Sequence, residues 1–308
     1  MRLRAEGRPA EASQFADLPA QLSDEVPQVR GLIVFSHANS FPASTYRLHF
    51  RAWQAAGYDV IAVEKFGHDP RYPVNDSWTN LERQLVDFLD EKLAEHPGVP
   101  VYMVGHSFGG YVSLMAALSR PERVGGVVLL DSPVLSGWKA KAVRLAKTLR
   151  VVNQVTPARV SATRRNHWAD TQAAWEHFSD KPMFKRWAPE VLADYMAAGI
   201  EPLHAGSIPG SGRTLTFKRE VETLIYGTLP EGLLERVRRQ RPPFPVAFIG
   251  GRRSRELRQV GLAGTRRLVG ERFSWINGSH LYPFEHPQQT AQEVLRWLGN
   301  FETSPASA

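Results

Sequence analysis

Short apolar runs rich in branched residues alternate with amphipathic stretches through the first 130 residues, and this alternation limits the fold more than anything else in the chain. Gly31-Leu-Ile-Val-Phe35, Tyr58–Val63, Val99–Val104 and Val124–Leu130 are strand-length and almost free of polar residues. Such runs are strands buried on both faces. Between them lie helical patterns. Tyr46, Phe50 and Trp53 fall near one stripe of a segment ending at Gly57. Leu81, Leu85, Phe88, Leu89 and Leu93 stripe the segment Trp78–His96, and Tyr111–Arg120 reads as a helix stopped by Pro121. Strand and helix repeated three times with short links predict an α/β fold: a mostly parallel central sheet flanked by helices on both sides. The rhythm resumes late in the chain. Pro245–Gly250 and Glu271–Ile276 read as strands, Arg255–Gly261 as a short helix and His286–Phe301 as a closing amphipathic helix.

The interruption defines an expected domain organisation. Residues 1–132 and 244–308 form the core, and 133–243 form a mainly helical insertion carrying Trp138, Trp168, Trp175 and Trp187. Residues 1–30 are polar and read as a strand, a hairpin or a loose arm. Within the insertion, Ser132 to Ala169 holds eight basic residues and no acidic one. Around Trp138–Val152 the apolar and basic residues separate onto opposite helix faces, with the apolar face expected to pack on the core. Contact of the basic face with an acidic substrate or an anionic lipid is the sharper alternative. Arg164 and Arg165 are its candidates for meeting an acidic group.

Composition removes several classes of function. With 43% hydrophobic and 22% charged residues, the chain is not predominantly disordered. It has no cysteine, which excludes thiol catalysis, disulfide scaffolds, iron–sulfur clusters and cysteine zinc sites. The net charge of +7 permits acidic partners without specifying one. No apolar run approaches the ~20 residues of a membrane span, and the N-terminus lacks the apolar core of a secretory signal, so cytoplasm is the expected location. No phosphate loop, dinucleotide fingerprint, zinc spacing or RNA-type aromatic motif is present. We therefore expect no cofactor, no metal and no nucleic-acid partner.

The chemistry concentrates in Gly105-His-Ser-Phe-Gly109, a G-x-S-x-G sequence between a strand and a helix. That setting lifts a serine hydroxyl above a sheet edge and places helix N–H groups beside it. Ser107 is the expected nucleophile. A serine needs a base, and of ten histidines His280 is best placed, in a Gly-bearing loop after the last strand. His37 and His106 are expected to make structural hydrogen bonds, and His286 to begin the last helix. Two acids precede His280. Asp131 ends the strand after the nucleophile's helix; Glu256 lies a turn into a helix among Arg252, Arg253 and Arg255. Asp131 is favoured, with Glu256 the alternative. The oxyanion donors are expected to be the N–H groups of Phe108 and of Asn39, with Ser40 close behind.

Taken together, His37-Ala-Asn-Ser-Phe-Pro, Gly105-His-Ser-Phe-Gly, Leu130-Asp-Ser-Pro and Gly278-Ser-His280 resemble the α/β-hydrolase superfamily, from about Gly31 to Phe301. The resemblance implies that the insertion is a helical cap. It points to capped esterases, and also to the dehalogenase and epoxide-hydrolase branch. That branch implies an aspartate nucleophile, where this chain has Ser107. The oxyanion loop carries Ala38 and Ser40 where many members carry glycine. Arg-Arg-Ser254 stands where the usual acid would follow the penultimate strand, which supports the relocated acid Asp131. The expectation is a serine hydrolase cleaving a small or medium carboxylic ester, with the Trp-bearing cap supplying an apolar pocket. A thioesterase, lactonase or carbon–carbon hydrolase of the same fold is the alternative, as is a silent binding protein docking an acidic partner or membrane.

Overall fold

The computed structural model describes residues 29–137, 142, 158–203 and 212–303. The expected helix around Trp138–Val152, residue 142 apart, and all but the last two residues of the expected arm over residues 1–30 fall outside the described residues. Six strands build one parallel sheet: β1 (Gly31–Ser36), β2 (Tyr58–Ala62), β3 (Val101–His106), β4 (Val124–Leu130), β8 (Val246–Gly251) and β9 (Phe273–Ile276). Their spatial order is β2-β1-β3-β4-β8-β9. Helices α1 (Arg47–Ala55), α2 (Thr79–Leu93) and α3 (Phe108–Ser119) follow β1, the loop after β2, and β3.

Alternate residues of the central strands feed two separate cores. Leu32, Val34, Met103, Val127, Leu129 and Phe248 join the apolar side chains of α2 and α3. Ile33, Phe35, Val104, Val128, Leu130 and Ile249 face the other way, onto α1 and the C-terminal helix. Two-sided burial of this kind selects runs of Val, Ile and Leu without polar interruption.

The segment between β4 and β8 holds helices α4 (Ala158–Thr163), α5 (Thr171–Ser179), α6 (Pro189–Gly199), α7 (Arg219–Gly227) and α8 (Leu233–Gln240). It also holds a small antiparallel sheet, β5 (His167–Trp168), β6 (Ile200–Pro202) and β7 (Arg213–Leu215), ordered β5-β7-β6. The sequence reading has no counterpart for this sheet, since strands of two or three residues are too short to show a period. The segment's large side chains enter both cores of the parallel sheet. Trp187, Tyr195 and Phe184 join the α1 side, and Phe217, Ile225 and Leu233 join the α2 side.

Beyond β8 come α9 (Arg255–Val260), α10 (Ala263–Val269), the single turn α11 (Tyr282–Glu285) and α12 (Pro287–Thr303). Among the described residues no helix is long and apolar enough to cross a membrane.

Candidate active site

Parallel strands deliver their C-terminal ends to one edge of a sheet, and here that edge gathers the chemistry. β3 ends at His106, and Ser107 turns the chain into α3 with φ 54° and ψ −119°. That is a strained conformation for a residue with a side chain, of the kind that persists where the surroundings over-determine it. The flanking glycines explain how so sharp a turn can exist. A Cβ on Gly105 would lie 2.4 Å from the Gly109 carbonyl oxygen, and one on Gly109 would lie 2.1 Å from that of Ser36. The chain around Ser107 can close up only because neither residue has a side chain. The Ser107 N–H donates to the Leu130 carbonyl at 2.9 Å, and the Ser132 hydroxyl donates to the Ser107 carbonyl at 2.7 Å.

His280 lies on the loop between β9 and α11. Its Nε2 is 2.9 Å from Ser107 Oγ, and its Nδ1 is 2.6 Å from Asp131 Oδ2. Asp131 is fully buried at the end of β4, with φ 44°. Its Oδ1 accepts the Gly251 N–H at 2.7 Å and its Oδ2 the Ser254 hydroxyl at 2.6 Å. With those donors fixed, Asp131 can only accept from His280, so Nδ1 carries the proton and Nε2 presents a lone pair to Ser107. Glu256 stands farther off, 3.9 Å from Nδ1 with its side chain 47% exposed. Burial pulls the His280 pKa down, but the hydrogen bond and negative charge of Asp131, aided by Glu256, outweigh it and leave it above 6.5.

Two histidines outside this pair have defined tautomers. His37 donates from Nδ1 to the Ala38 carbonyl at 2.8 Å and accepts the Phe66 N–H at 3.0 Å on Nε2; burial pushes its pKa down to about 4. His106 donates from Nε2 to the His280 carbonyl at 2.9 Å and accepts the Tyr46 hydroxyl at 2.7 Å on Nδ1. Tyr46 in turn accepts the Ala38 N–H at 3.1 Å. A single buried chain therefore links the loop after β1, the nucleophile's strand and the loop of His280. Tyr46→Phe should lower the unfolding free energy by about 1–3 kcal/mol, because the Ala38 N–H and His106 Nδ1 lose their partner in a buried place. Urea titration measures it, and an unchanged midpoint would show the chain carries no stability. His286 sits just before α12, with Nε2 3.2 Å from the Asn277 carbonyl oxygen.

The N–H of Phe108 opens α3 and, like that of Asn39, meets no acceptor among the described residues. Phe108 lines a small cavity at Ser107, and Asn39 and Ser40 line a larger one. The Ala38 N–H is already taken by Tyr46, which leaves Asn39 as the next donor along that loop. Ser40 has φ 82°, which closes a turn in which the Phe41 N–H donates to the Ala38 carbonyl at 3.1 Å. Thus Ser107, His280 and Asp131 come together, Glu256 stays at their margin, and Phe108 and Asn39 border the cavities at the nucleophile.

Several supporting groups escape sequence reasoning. Ser254 caps α9, accepting the Leu257 N–H at 3.1 Å while donating to Asp131. Its signal is the serine itself, standing at the strand end where an acid is usual. Glu285 braces the histidine loop, accepting the Ser279 hydroxyl at 2.6 Å and its N–H at 2.9 Å. No sequence pattern announces that contact.

The two cavities meet at Ser107 and His280. The smaller, about 150 Å³, is walled by Trp78, Phe108, Tyr111, Ile225, Leu229 and Val260 among others. The larger, about 750 Å³, takes polar and charged walls from the segment between β4 and β8 and from α9. The described tryptophans of the segment, Trp168, Trp175 and Trp187, do not line either one. Trp168 and Trp187 are buried in the core on the α1 side, and Trp175 is exposed. The apolar wall comes instead from Trp78, Phe108, Tyr111 and the face of α7.

Asp131, Glu256 and His280 are also the one trio among the described residues whose ligand atoms lie close enough, within 4.8 Å, to hold a metal ion. A cation bound between Asp131 Oδ2 and His280 Nδ1 would displace the proton they share and compete with the Ser254 hydroxyl, so the trio is better suited to orienting a proton than to coordination.

Comparison with known proteins agrees with the fold. The human monoglyceride lipase is 27% identical over 132 residues, 42% of this chain and 43% of that protein. Lipase LipV of Mycobacterium tuberculosis is 33% identical over 129 residues, 40% of this chain and 48% of that protein. The matched region thus spans less than half the length of either relative. Among solved structures, the peroxisomal alpha-beta-hydrolase Lpx1 of Saccharomyces cerevisiae superposes with a TM-score of 0.67 at 15% identity, over 91% of this chain and 80% of that one. A thioesterase domain from the curacin biosynthetic pathway gives 0.62 at 17% identity, over 87% and 92%. Residues 33–293, nearly the whole of the described fold, match the sequence profile of the Alpha/beta hydrolase family, and the chain belongs to that family.

Proposed function

We propose that this protein is a serine hydrolase that cleaves small or medium carboxylic esters through an acyl-enzyme. One observation carries the reading: a histidine whose Nε2 is 2.9 Å from a strained serine hydroxyl while its Nδ1 is 2.6 Å from a buried carboxylate. The similarity to lipases supports it.

In this reading Ser107 Oγ attacks the ester carbonyl carbon as its proton passes to His280 Nε2. The carbonyl oxygen becomes an oxyanion, held by the N–H groups of Phe108 and Asn39, each donor contributing about 3 kcal/mol. As the intermediate collapses, the alcohol leaves with the proton from His280, and the acyl group stays on Ser107. Water then gives a proton to His280 and attacks the acyl carbon; the acid departs and Ser107 recovers its hydrogen. Asp131 remains ionised throughout and balances the imidazolium. The segment between β4 and β8 acts as a cap, since Arg164, Met183, Glu222 and Tyr226 supply walls of the cavity at Ser107.

A fluorophosphonate probe tests the assignment. Mass spectrometry should find the adduct on Ser107 in folded protein, and a protein that stays unmodified would overturn the reading. The pH dependence is a second check. His280 must be neutral to act as base, and its pKa is raised, so kcat/KM should fall as pH drops through a midpoint above 6.5. A flat profile from about pH 5 to 8 would exclude a histidine base.

A further inference from the structure

We infer that the larger cavity binds the part of the substrate that carries an anionic group, a carboxylate or a phosphate. This rests on the hydrolase reading and names the class of ester that the site takes.

Charge is unevenly distributed on the walls of that cavity. Five arginines line that cavity: Arg164, Arg186, Arg253, Arg255 and Arg258. Against them the same walls offer two carboxylates, Glu222 and Glu256. Three of the arginines have acidic company. Arg164 is 2.9 Å from Glu222, Arg186 is 3.0 Å from Glu285, and Arg253 is 3.8 Å from Glu285. Among the described residues Arg258 donates only to the backbone carbonyls of Ser254 and Arg253, at 3.3 and 3.1 Å. Arg255 has no carboxylate within ion-pair distance among the described residues. Among the described residues, two guanidinium groups on α9 are therefore left without an ion-paired counter-charge beside a space that opens onto Ser107 and His280.

Clustered like charges repel one another, and a cleft lined by one sign of charge raises the local concentration of the opposite sign. Guanidinium presents paired N–H donors that match two oxygens of a carboxylate or phosphate. The neighbouring 150 Å³ cavity is walled mainly by apolar side chains, and its carboxyl-bearing members, Asp131 and Glu256, make it a poor place for an anion. The two cavities thus sort the substrate on either side of the ester bond. A compact apolar group occupies the small one, and a larger group ending in an anion occupies the other.

Matched chromogenic pairs test this and locate the charge. One pair places it on the acyl side: 4-nitrophenyl hemisuccinate against its methyl ester. The other places it on the alcohol side: 4-acetoxybenzoate against methyl 4-acetoxybenzoate. The protein should prefer the anionic member of one pair by about tenfold or more in kcat/KM at low salt, chiefly through KM. The preference should shrink on addition of about 0.5 M sodium chloride, because the arginines are partly exposed. The double variant R255Q/R258Q should lose it. The salt series on the unaltered protein decides the matter if that variant does not fold. Equal turnover of charged and neutral members in both pairs overturns the inference while leaving Ser107 a nucleophile. A preference insensitive to both salt and the double substitution overturns it as well. No turnover of any ester, with no fluorophosphonate adduct on Ser107, overturns the inference and the hydrolase reading together.

Discussion

Ser107→Ala should reduce ester hydrolysis by about a millionfold, to the level that binding and oxyanion stabilisation alone sustain. Alanine keeps the Cβ that Ser107 already places at φ 54°, so the turn gains no new clash. The backbone N–H still donates to Leu130, and the carbonyl still accepts from Ser132. Only the hydroxyl is lost, and with it the attacking atom. Unfolding free energy should change by less than about 1 kcal/mol, as for most substitutions that leave no cavity and no orphaned buried group. The variant should also resist fluorophosphonate. Activity above one per cent of the original, measured on a preparation free of contaminating esterase, would remove Ser107 from the role of nucleophile.

Asp131→Asn should cost about 10³–10⁴ in kcat, with Glu256→Gln costing less than about tenfold. The asymmetry follows from hydrogen-bond bookkeeping. Asp131 accepts three hydrogen bonds: from Gly251, Ser254 and His280. An asparagine keeps one carbonyl oxygen and turns an NH₂ toward the remaining donors. If that NH₂ faces His280, the ring responds by moving its proton to Nε2, where it confronts Ser107 Oγ with a hydrogen instead of a lone pair. Glu256 makes no such demand. It is half-exposed, 3.9 Å from Nδ1, and solvent screens it. Steady-state kinetics of the two variants under one set of conditions decides between the acids, and a larger loss for Glu256→Gln would transfer the role.

Much of this architecture is legible in the sequence, for reasons that differ by element. The central strands read clearly because burial on both faces leaves no polar residue to blur them; Val124–Leu130 runs over the same residues in the fold. β3 is harder. Its apolar run suggests Val99–Val104, yet pairing continues through Gly105 and His106 opposite Leu129 and Leu130. A buried histidine looks like a strand end until its partners, the Tyr46 hydroxyl and the His280 carbonyl, are known.

The helix after the nucleophile reads as starting at Tyr111 and starts at Phe108. Gly109-Gly110 suggests a turn from sequence. In the fold these glycines are helical, and it is contact with Ser36 and Ser132 that forbids a larger residue.

For the candidate site, the proximity of Ser107, His280 and Asp131 is readable because each lies at or just beyond a strand end that the alternation predicts. Ser254, Tyr46 and Glu285 are not, because their roles exist only between segments far apart in the chain. The arginine-lined cavity falls in the same class. α9 carries two of its cations, the segment after β4 two more and the loop before α9 the fifth, and no local pattern connects them.

The order in which the strands are laid into the sheet has a bearing on biosynthesis. The serine and the imidazole that meets it are 173 positions apart, and the ring arrives on the loop after the last strand to be made. Under the proposed mechanism, a polypeptide made only as far as β8 has the hydroxyl, the glycines and the carboxylate, but not the imidazole that would accept the serine's proton. Loss of the chain from β9 onward would, in the same scheme, leave a remnant without that base. Under the proposed mechanism, competence is withheld until residue 280 has been synthesised and its loop has closed over the sheet edge.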